Sequence, residues 1–197
     1  MIVVTGLMRS GTSPLAQMLH QMGVEMGSFM RFPTQTPVAH LEWEDALLAE
    51  PLAKHLLGQA EIDVPALLRS YILGRHGEWG VKTPFLLPFL RDFREIATGL
   101  GMQLRVILTE RDYSETIKSL ERQAAGLSID KRQPALKSLL KLQERLSVSR
   151  EDVSQHALAV NHRDIQRDPR GVAAQLAQVA GIEADLDVAT RGIAGGT

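Results

Sequence analysis

The fold is decided by the first stretch of the chain, Ile2-Val3-Val4-Thr5-Gly6-Leu7-Met8-Arg9-Ser10-Gly11-Thr12-Ser13-Pro14. Its opening apolar run is β-branched and stops at a glycine, and from Pro14 apolar residues recur at helical spacing. The pattern predicts a strand, a glycine-containing loop and a helix. Such a loop can wrap its backbone N–H groups around a phosphate, and the helix start adds partial positive charge. The stretch therefore predicts an anion-binding loop.

The loop has the spacing of a P-loop but lacks its lysine. Thr12 follows the second glycine where that lysine is expected, and a cation occurs earlier, as Arg9. An ordinary turn, in which Ser13 caps the helix and Arg9 faces solvent, is the alternative. The agreement of strand, glycines, helix start and cation favours anion binding, whereas the missing lysine disfavours ordinary ATP binding.

The rest of the chain alternates between short apolar runs and helical patterns. Short apolar runs occur at residues 79–81, 104–108 and 157–160. Because successive residues of a strand point to opposite faces, these runs predict strands that are buried on both faces. Helical spacing occurs at 42–57, where Pro51 would kink or divide the helix, at 64–73, after Pro84, after Asp112, and at 136–146 and 172–179. We expect a single α/β domain over residues 1–197, a three-layer P-loop-like fold with a central, mostly parallel sheet of four or five strands flanked by helices. Residues 190–197 are expected to form a flexible tail.

Composition excludes several classes of function. The 197 residues carry 22 Lys and Arg against 23 Asp and Glu, so no overall basic field favours nucleic acid. Cysteine is absent, which excludes disulfides and thiolate chemistry. No apolar stretch approaches the roughly 18 residues that would span a bilayer, and the first residues lack the basic start of a signal peptide. Together these features predict a soluble, cytoplasmic protein.

Two motifs resemble those of the sulfotransferases that use 3′-phosphoadenosine-5′-phosphosulfate (PAPS). Residues 3–13 resemble the family's 5′-phosphosulfate loop, in which Lys or Arg precedes Ser-Gly-Thr. Residues 106–120 are similar to its 3′-phosphate motif, in which an Arg at a strand end is followed eight positions later by Ser; Arg111 and Ser119 occupy those positions. Tyr113 departs from the pattern, because many relatives have Pro there.

Weaker similarities follow in the family's order. Residues 81–84 resemble its Lys-Thr-Pro segment, residues 43–45 its short acidic motif, and residues 162–165 its Tyr-Glu-Asp-Leu region, with His162 in place of the aromatic residue. The C-terminal Arg-Lys-Gly loop has at most a remnant in Arg191-Gly192. The chain is also shorter than most members, which implies reduced elements over the acceptor.

The resemblance implies a PAPS-dependent sulfotransferase that needs no metal and acts on a hydroxyl or amine of a small molecule. It implies that Arg9 and Lys82 offset charge during transfer. A general base must also remove the acceptor proton, and the candidates are Glu44, Glu42 and His40, of which we choose Glu44. The donor-binding residues implied are Arg9, Ser10, Gly11, Thr12, Ser13, Arg111 and Ser119.

Each of these residues also has a plainer interpretation. Lys82 is equally explained as a solvated residue at a strand end, and Glu44 as part of an acidic first helical turn. A P-loop kinase using magnesium-ATP, with Glu110 or Asp112 holding the metal, remains an alternative function, as does a nucleotide-binding protein of this fold that has lost turnover. The histidines do not have the paired spacing that is typical of a metal site. The sequence leaves the oligomeric state open.

Overall fold

The structure is a computed structural model that describes residues 1–27, 29–30, 42–149 and 157–193. Its centre is a four-stranded parallel sheet in the order β4-β1-β5-β6. The strands are β1 (Ile2–Gly6), β4 (Gly80–Lys82), β5 (Arg105–Glu110) and β6 (Leu158–Asn161). A second, two-stranded antiparallel sheet joins β2 (Phe29–Met30) to β3 (Glu42–Asp45).

Helices cover both faces of the parallel sheet. They are α1 (Thr12–Gln21), α2 (Ala46–Leu57), α3 (Val64–Leu73), a 3₁₀ helix (Pro84–Phe89), α4 (Leu90–Gly99), α5 (Tyr113–Ala125), α6 (Ile129–Val148), α7 (His162–Arg167), α8 (Pro169–Ala180) and α9 (Leu186–Ala189). The predicted α/β architecture with a central parallel sheet is therefore confirmed.

Two apolar cores lie on opposite faces of the sheet. Successive residues of β1 alternate between them, with Val3 packed toward α2, α3 and α6, and with Ile2 and Val4 packed toward α1 and α8. In β5, Val106 and Ile107 divide in the same way. Because successive side chains of a strand point to opposite faces, a strand buried on both sides reads as a continuous apolar run.

The connections leave β1 and β5 in opposite directions. From β1 the chain crosses to β4 on one side, and from β5 it continues to β6 on the other. In an open parallel sheet, the crevice beyond the carboxyl ends of two such strands is the usual ligand site. The loop after β1 and Arg111 after β5 both lie at this switch point.

The predicted helix over 42–57 is wrong at its start. Residues Glu42–Asp45 form a strand, and the helix begins only at Ala46, where the Asp45 carboxylate accepts the Leu47 N–H at 2.9 Å. Pro51 lies within α2 and does not divide it. Glu44 therefore belongs to β3, and its interpretation as part of an acidic helical turn is wrong.

The segment after Pro84 also differs from its predicted form. The helix expected there begins as a 3₁₀ helix and becomes α-helical at Leu90. Between α5 and α6 the connection is only residues 126–128, because α5 continues to Ala125 and α6 begins at Ile129.

The helices of the described part of the chain are all too short or too polar to cross a membrane. Within the predicted tail, the Thr190 hydroxyl donates to the Leu186 carbonyl at 2.9 Å, and the Ile193 N–H donates to the Thr190 carbonyl at 3.1 Å. Residues 194–197 lie outside the described residues. Flexibility of the tail stays a prediction.

Candidate active site

The loop between β1 and α1 has the backbone of an anion cradle. Arg9 and Gly11 both have left-handed conformations, with φ of 63° and 102°. Such residues, next to right-handed ones, turn successive N–H groups toward a common concavity. Gly11 is also the N-cap of α1, and no side chain in the described part of the chain caps this helix. Its first N–H groups are therefore available to a ligand, and the alternative in which Ser13 caps the helix is wrong.

Ser10 supports the loop from inside. Its side chain is fully buried, and its hydroxyl donates to the Leu7 carbonyl at 2.6 Å and also contacts the Thr109 hydroxyl on β5. A Cβ at Gly6 would lie only 2.3 Å from Thr109 Oγ1, so glycine is required where the loop leaves β1. The cradle is thereby fixed to two adjacent strands.

A buried amide fixes the other side of the loop. Gln143 of α6 is fully buried; its Oε1 accepts the Met8 N–H at 3.0 Å, and its Nε2 donates to the Met8 carbonyl at 3.3 Å. Nε2 also donates to the Thr116 hydroxyl at 2.9 Å. The sequence analysis missed Gln143, although a polar residue within the apolar stripe of Leu139, Leu142 and Leu146 was a signal.

The two predicted phosphate motifs meet at this loop. Arg111 donates from one terminal guanidinium nitrogen to the Arg9 carbonyl at 2.9 Å. Arg9 in turn donates from Nε to the Ser119 hydroxyl at 3.1 Å. Ser119 lies on α5, which begins at Tyr113, and the Arg9 side chain connects it to the loop. Residues 9, 111 and 119 therefore form one cationic cluster.

A carboxylate joins this cluster to a further cation. Glu115 accepts from Arg111 Nε at 3.2 Å and from an Arg163 terminal nitrogen at 3.1 Å. These hydrogen bonds, that from Arg163 first, hold the pKa of Glu115 below its usual range. Arg111, Glu115 and Arg163 are among the residues that line a cavity of about 430 Å³ beyond β5 and β6.

Lys82 and Glu44 form a buried ion pair at the neighbouring strand end. Lys82 is the last residue of β4, and its Nζ lies 3.0 Å from Glu44 Oε1; the two residues are 3% and 7% exposed. Glu44 Oε2 is buried and has no hydrogen-bond partner among the described residues. A buried charged pair with one unsatisfied oxygen is typical of a functional site and is unlike a solvated lysine at a strand end.

A second buried network holds β3 in place beside this pair. The Asp45 carboxylate accepts from the Tyr71 hydroxyl at 2.8 Å and from Arg75 at 2.6 Å. Burial, followed by the negative charge of Asp45, raises the pKa of Tyr71. Because β3 also packs on α1 and β4, this network fixes Glu44 against the strand that carries Lys82.

His162 is a site residue that the sequence analysis did not select. A Cβ built on Gly11 would lie 2.6 Å from His162 Nδ1, so the imidazole packs directly on the loop. Burial, and then the positive charges of Arg111 and Arg9, lower the pKa of His162. Its Nδ1 is buried without a partner in the described part of the chain. The weak similarity of residues 162–165 was its only signal in the sequence.

The structure thus brings most of the predicted site residues to one edge of the sheet. Arg9, Ser10, Gly11, Thr12 and Ser13 form the loop and helix start, and Arg111 and Ser119 join them through Arg9. Lys82 and Glu44 pair on the other side of β1, where Val4 is the register partner of Lys82. His40 lies outside the described residues, and for Glu42 only the backbone is described. Among the described residues, no group of three or more His, Asp or Glu is arranged to hold a metal ion.

Comparison with solved structures identifies the fold. No protein-family model matches the chain, and the curated proteins give no match. The chain is similar to the sulfotransferase STF1 of Mycobacterium tuberculosis H37Rv, with a TM-score of 0.57 and 17% identity over 100% of this chain and 73% of that one. It is also similar to the sulfotransferase STF9 of Mycobacterium avium, with a TM-score of 0.61 and 15% identity over 96% of this chain and 66% of that one.

A third similar structure is the sulfotransferase domain of the Synechococcus PCC 7002 olefin synthase. It matches with a TM-score of 0.51 and 18% identity over 95% of this chain and 75% of that one. The chain thus spans 66–75% of the length of these structures. At such identities the likeness concerns the backbone: the chain has the sulfotransferase fold.

Proposed function

We propose that the protein is a sulfotransferase that moves a sulfuryl group from PAPS to a hydroxyl or amine of a small acceptor. One observation carries this proposal: the Arg111 guanidinium donates to the Arg9 carbonyl at 2.9 Å. Two motifs that are 102 residues apart in sequence are thereby joined at the switch point of the sheet. A molecule with phosphate groups at both its 5′ and 3′ positions can engage both motifs at once.

The cradle is assigned to the 5′ end of the donor. The N–H groups of the loop and of the first turn of α1 bind the 5′-phosphate and the sulfonate, with the hydroxyl groups of Thr12 and Ser13 as further donors. Arg9 offsets the negative charge that develops on the leaving phosphate. Ser10 shapes the cradle from inside, because its hydroxyl is engaged with Leu7 and Thr109.

The cationic cluster is assigned to the 3′ end. Arg111 and Ser119 bind the 3′-phosphate through charge-assisted and hydroxyl hydrogen bonds. This phosphate distinguishes PAPS from ADP and ATP. Thr12, at the position of the usual P-loop lysine, supports the same choice over a magnesium-ATP kinase.

The buried pair is assigned to the chemistry. The acceptor oxygen or nitrogen attacks sulfur in line with the leaving group, so its new bond to sulfur forms as the bond from sulfur to the 5′-phosphate oxygen breaks. Glu44 Oε2, which is buried without a partner among the described residues, takes the acceptor proton. Lys82, whose Nζ lies 3.0 Å from Glu44 Oε1, holds this carboxylate in place and offsets charge on the sulfonate oxygens. The products are a sulfated acceptor and adenosine 3′,5′-bisphosphate.

Ligand titration tests the donor assignment. We expect adenosine 3′,5′-bisphosphate to bind more tightly than magnesium-ATP. Arg111→Ala is expected to weaken the binding of the bisphosphate by about 2 kcal/mol, which raises its dissociation constant about thirtyfold. Arg91→Ala is the matched control, because it removes an exposed arginine paired with a helix carboxylate four residues later. Tight magnesium-ATP binding without any response to the bisphosphate would instead identify a kinase.

Turnover tests the catalytic assignment. With PAPS and a panel of phenols, sugars, amines and lipids, sulfated product is followed by mass spectrometry. Glu44→Gln and Lys82→Ala are expected to lower kcat while leaving the affinity for the bisphosphate nearly unchanged. Donor binding without transfer to any acceptor of the panel would identify a protein of this fold that has lost turnover.

A further inference from the structure

Arg163 and Arg111 face each other across a single carboxylate. One oxygen of Glu115 lies 3.2 Å from Arg111 Nε, and the other lies 3.1 Å from an Arg163 terminal nitrogen. Arg163 comes from the start of α7, which is 48 residues away from Glu115 in sequence. Two guanidinium groups from different parts of the chain therefore contact the same carboxylate.

The hydrogen bonds of Glu115 differ from those that a carboxylate at the third residue of a helix usually makes. Asp112 and Glu115 have the spacing of a capping box, in which the second carboxylate reaches back to the first residue's N–H. Asp112 does cap α5, because its Oδ1 accepts from the N–H groups of Ser114 and Glu115 at 2.8 and 3.2 Å. The Glu115 carboxylate is instead directed to the two arginines.

The environment of this triad fits a ligand better than a plain surface ion pair. The three residues line the cavity of about 430 Å³ at the carboxyl ends of β5 and β6, together with Glu110, Asp112, Tyr113 and Asn161. The Arg163 side chain is 75% exposed, so it is free to change partner, whereas Arg111 is 18% exposed and is anchored to the Arg9 carbonyl. The acidic neighbour Asp112 caps the N-terminus of α5, whose partial positive charge offsets part of its negative charge.

We propose that Glu115 occupies the place of a phosphate monoester between Arg111 and Arg163, and that a phosphate-bearing ligand displaces it and binds both guanidinium groups. This inference rests on the proposed function, under which the ligand group is the 3′-phosphate of the donor. A carboxylate offers one negative charge and two oxygens, whereas a phosphate monoester offers nearly two charges and three oxygens. Two guanidinium groups match the phosphate better, because each can donate two N–H bonds to it.

Paired substitutions with two nucleotides test the inference. Dissociation constants for adenosine 3′,5′-bisphosphate and for adenosine 5′-monophosphate are measured by calorimetry at fixed salt. Glu115→Gln removes the competing charge with little change of shape and is expected to raise the affinity for the bisphosphate severalfold. Arg163→Ala is expected to weaken it about tenfold, and Arg163→Lys to recover part of the loss. The monophosphate, which lacks the 3′ group, should respond to none of these changes.

Matched controls separate this effect from general electrostatics. Glu95→Gln and Arg91→Ala alter an exposed arginine–carboxylate pair of the same i,i+4 spacing on α4, and neither should change either nucleotide's affinity. If the wild-type protein prefers the bisphosphate and Arg111→Ala removes that preference, but Glu115→Gln and Arg163→Ala have no effect, the inference is overturned and the proposed function stands. If the wild-type protein shows no preference for the bisphosphate over the monophosphate, the proposed function fails and the inference fails with it.

Discussion

At the scale of single residues, we expect the buried Lys82–Glu44 pair to affect stability separately from the chemistry proposed for it. Its two charges are 3.0 Å apart and almost fully buried. Removing one partner leaves the other charge buried and uncompensated, which typically costs about 3–5 kcal/mol, whereas replacing both by apolar residues is often nearly neutral.

The first prediction follows from this asymmetry. Lys82→Met alone should lower the free energy of unfolding by about 3–5 kcal/mol, and Lys82→Met with Glu44→Leu should recover most of that loss. Denaturant unfolding monitored by circular dichroism measures both. Transfer from PAPS should stay absent in the double variant. A double variant as unstable as the single one would show that the pair is not an isolated buried ion pair.

His162 gives a prediction about pH. Its pKa in the folded protein is below the ordinary value of 6.5, mainly because of burial and then because of Arg111. Between the lowered and the ordinary pKa, the unfolded chain binds a proton that the folded chain does not, so the free energy of unfolding falls as the pH is lowered through this window. His162→Phe should remove this part of the pH dependence, whereas substitution of the exposed His76 serves as the control. Denaturant unfolding between about pH 5 and pH 8 provides the comparison, and equal slopes for wild type and His162→Phe would contradict the assignment.

At the scale of elements, the cradle depends on a helix that is distant in sequence. Gln143 of α6 satisfies both the N–H and the carbonyl of Met8, which lies directly before the left-handed Arg9. A buried polar backbone group that loses its partner costs about 1–3 kcal/mol.

Gln143→Met is therefore expected to lower the free energy of unfolding by about 1–3 kcal/mol. It should also weaken the binding of the bisphosphate, because the loop loses its fixed geometry. Gln143→Glu in its protonated form retains an acceptor for the Met8 N–H and an O–H donor for the Met8 carbonyl, so its stability should lie between those of Gln143→Met and wild type at low pH and should fall as the pH rises and the buried carboxyl ionises. Thermal unfolding and calorimetry check the two effects. A full loss of stability with unchanged affinity would show that Gln143 supports only the core.

The elements also show which parts of the fold the local sequence determines. The strand after Met1 is visible in the sequence as a continuous apolar run that ends at Gly6, and the helix over residues 64–73 is visible as apolar residues at helical spacing after Asp63. Residues Glu42–Asp45 were predicted as helix but form a strand. No local period marks this strand, because its conformation depends on pairing with Phe29–Met30. Pro51 was predicted to kink or divide α2, and the helix is not divided.

At the scale of the whole molecule, the order β4-β1-β5-β6 explains why distant motifs meet. Parallel strands place all their carboxyl ends at one edge, and β1 and β5 are direct neighbours. The resemblance to sulfotransferases predicted that the two motifs act together, and the hydrogen bond from Arg111 to the Arg9 carbonyl joins them in the structure. The links made by Gln143, His162 and Glu115 could not be predicted from the sequence, because each depends on how a helix packs against the loop and not on a spacing within one element.

The most direct test of the account is a crystal structure of the protein with adenosine 3′,5′-bisphosphate. The account predicts that the 5′-phosphate lies on the N–H groups of residues 9–13 and that one oxygen of the 3′-phosphate lies within hydrogen-bond distance of Arg111, at about 2.7–2.9 Å. A nucleotide bound with its 3′-phosphate away from Arg111 and Ser119, or bound outside the crevice between β1 and β5, would contradict it.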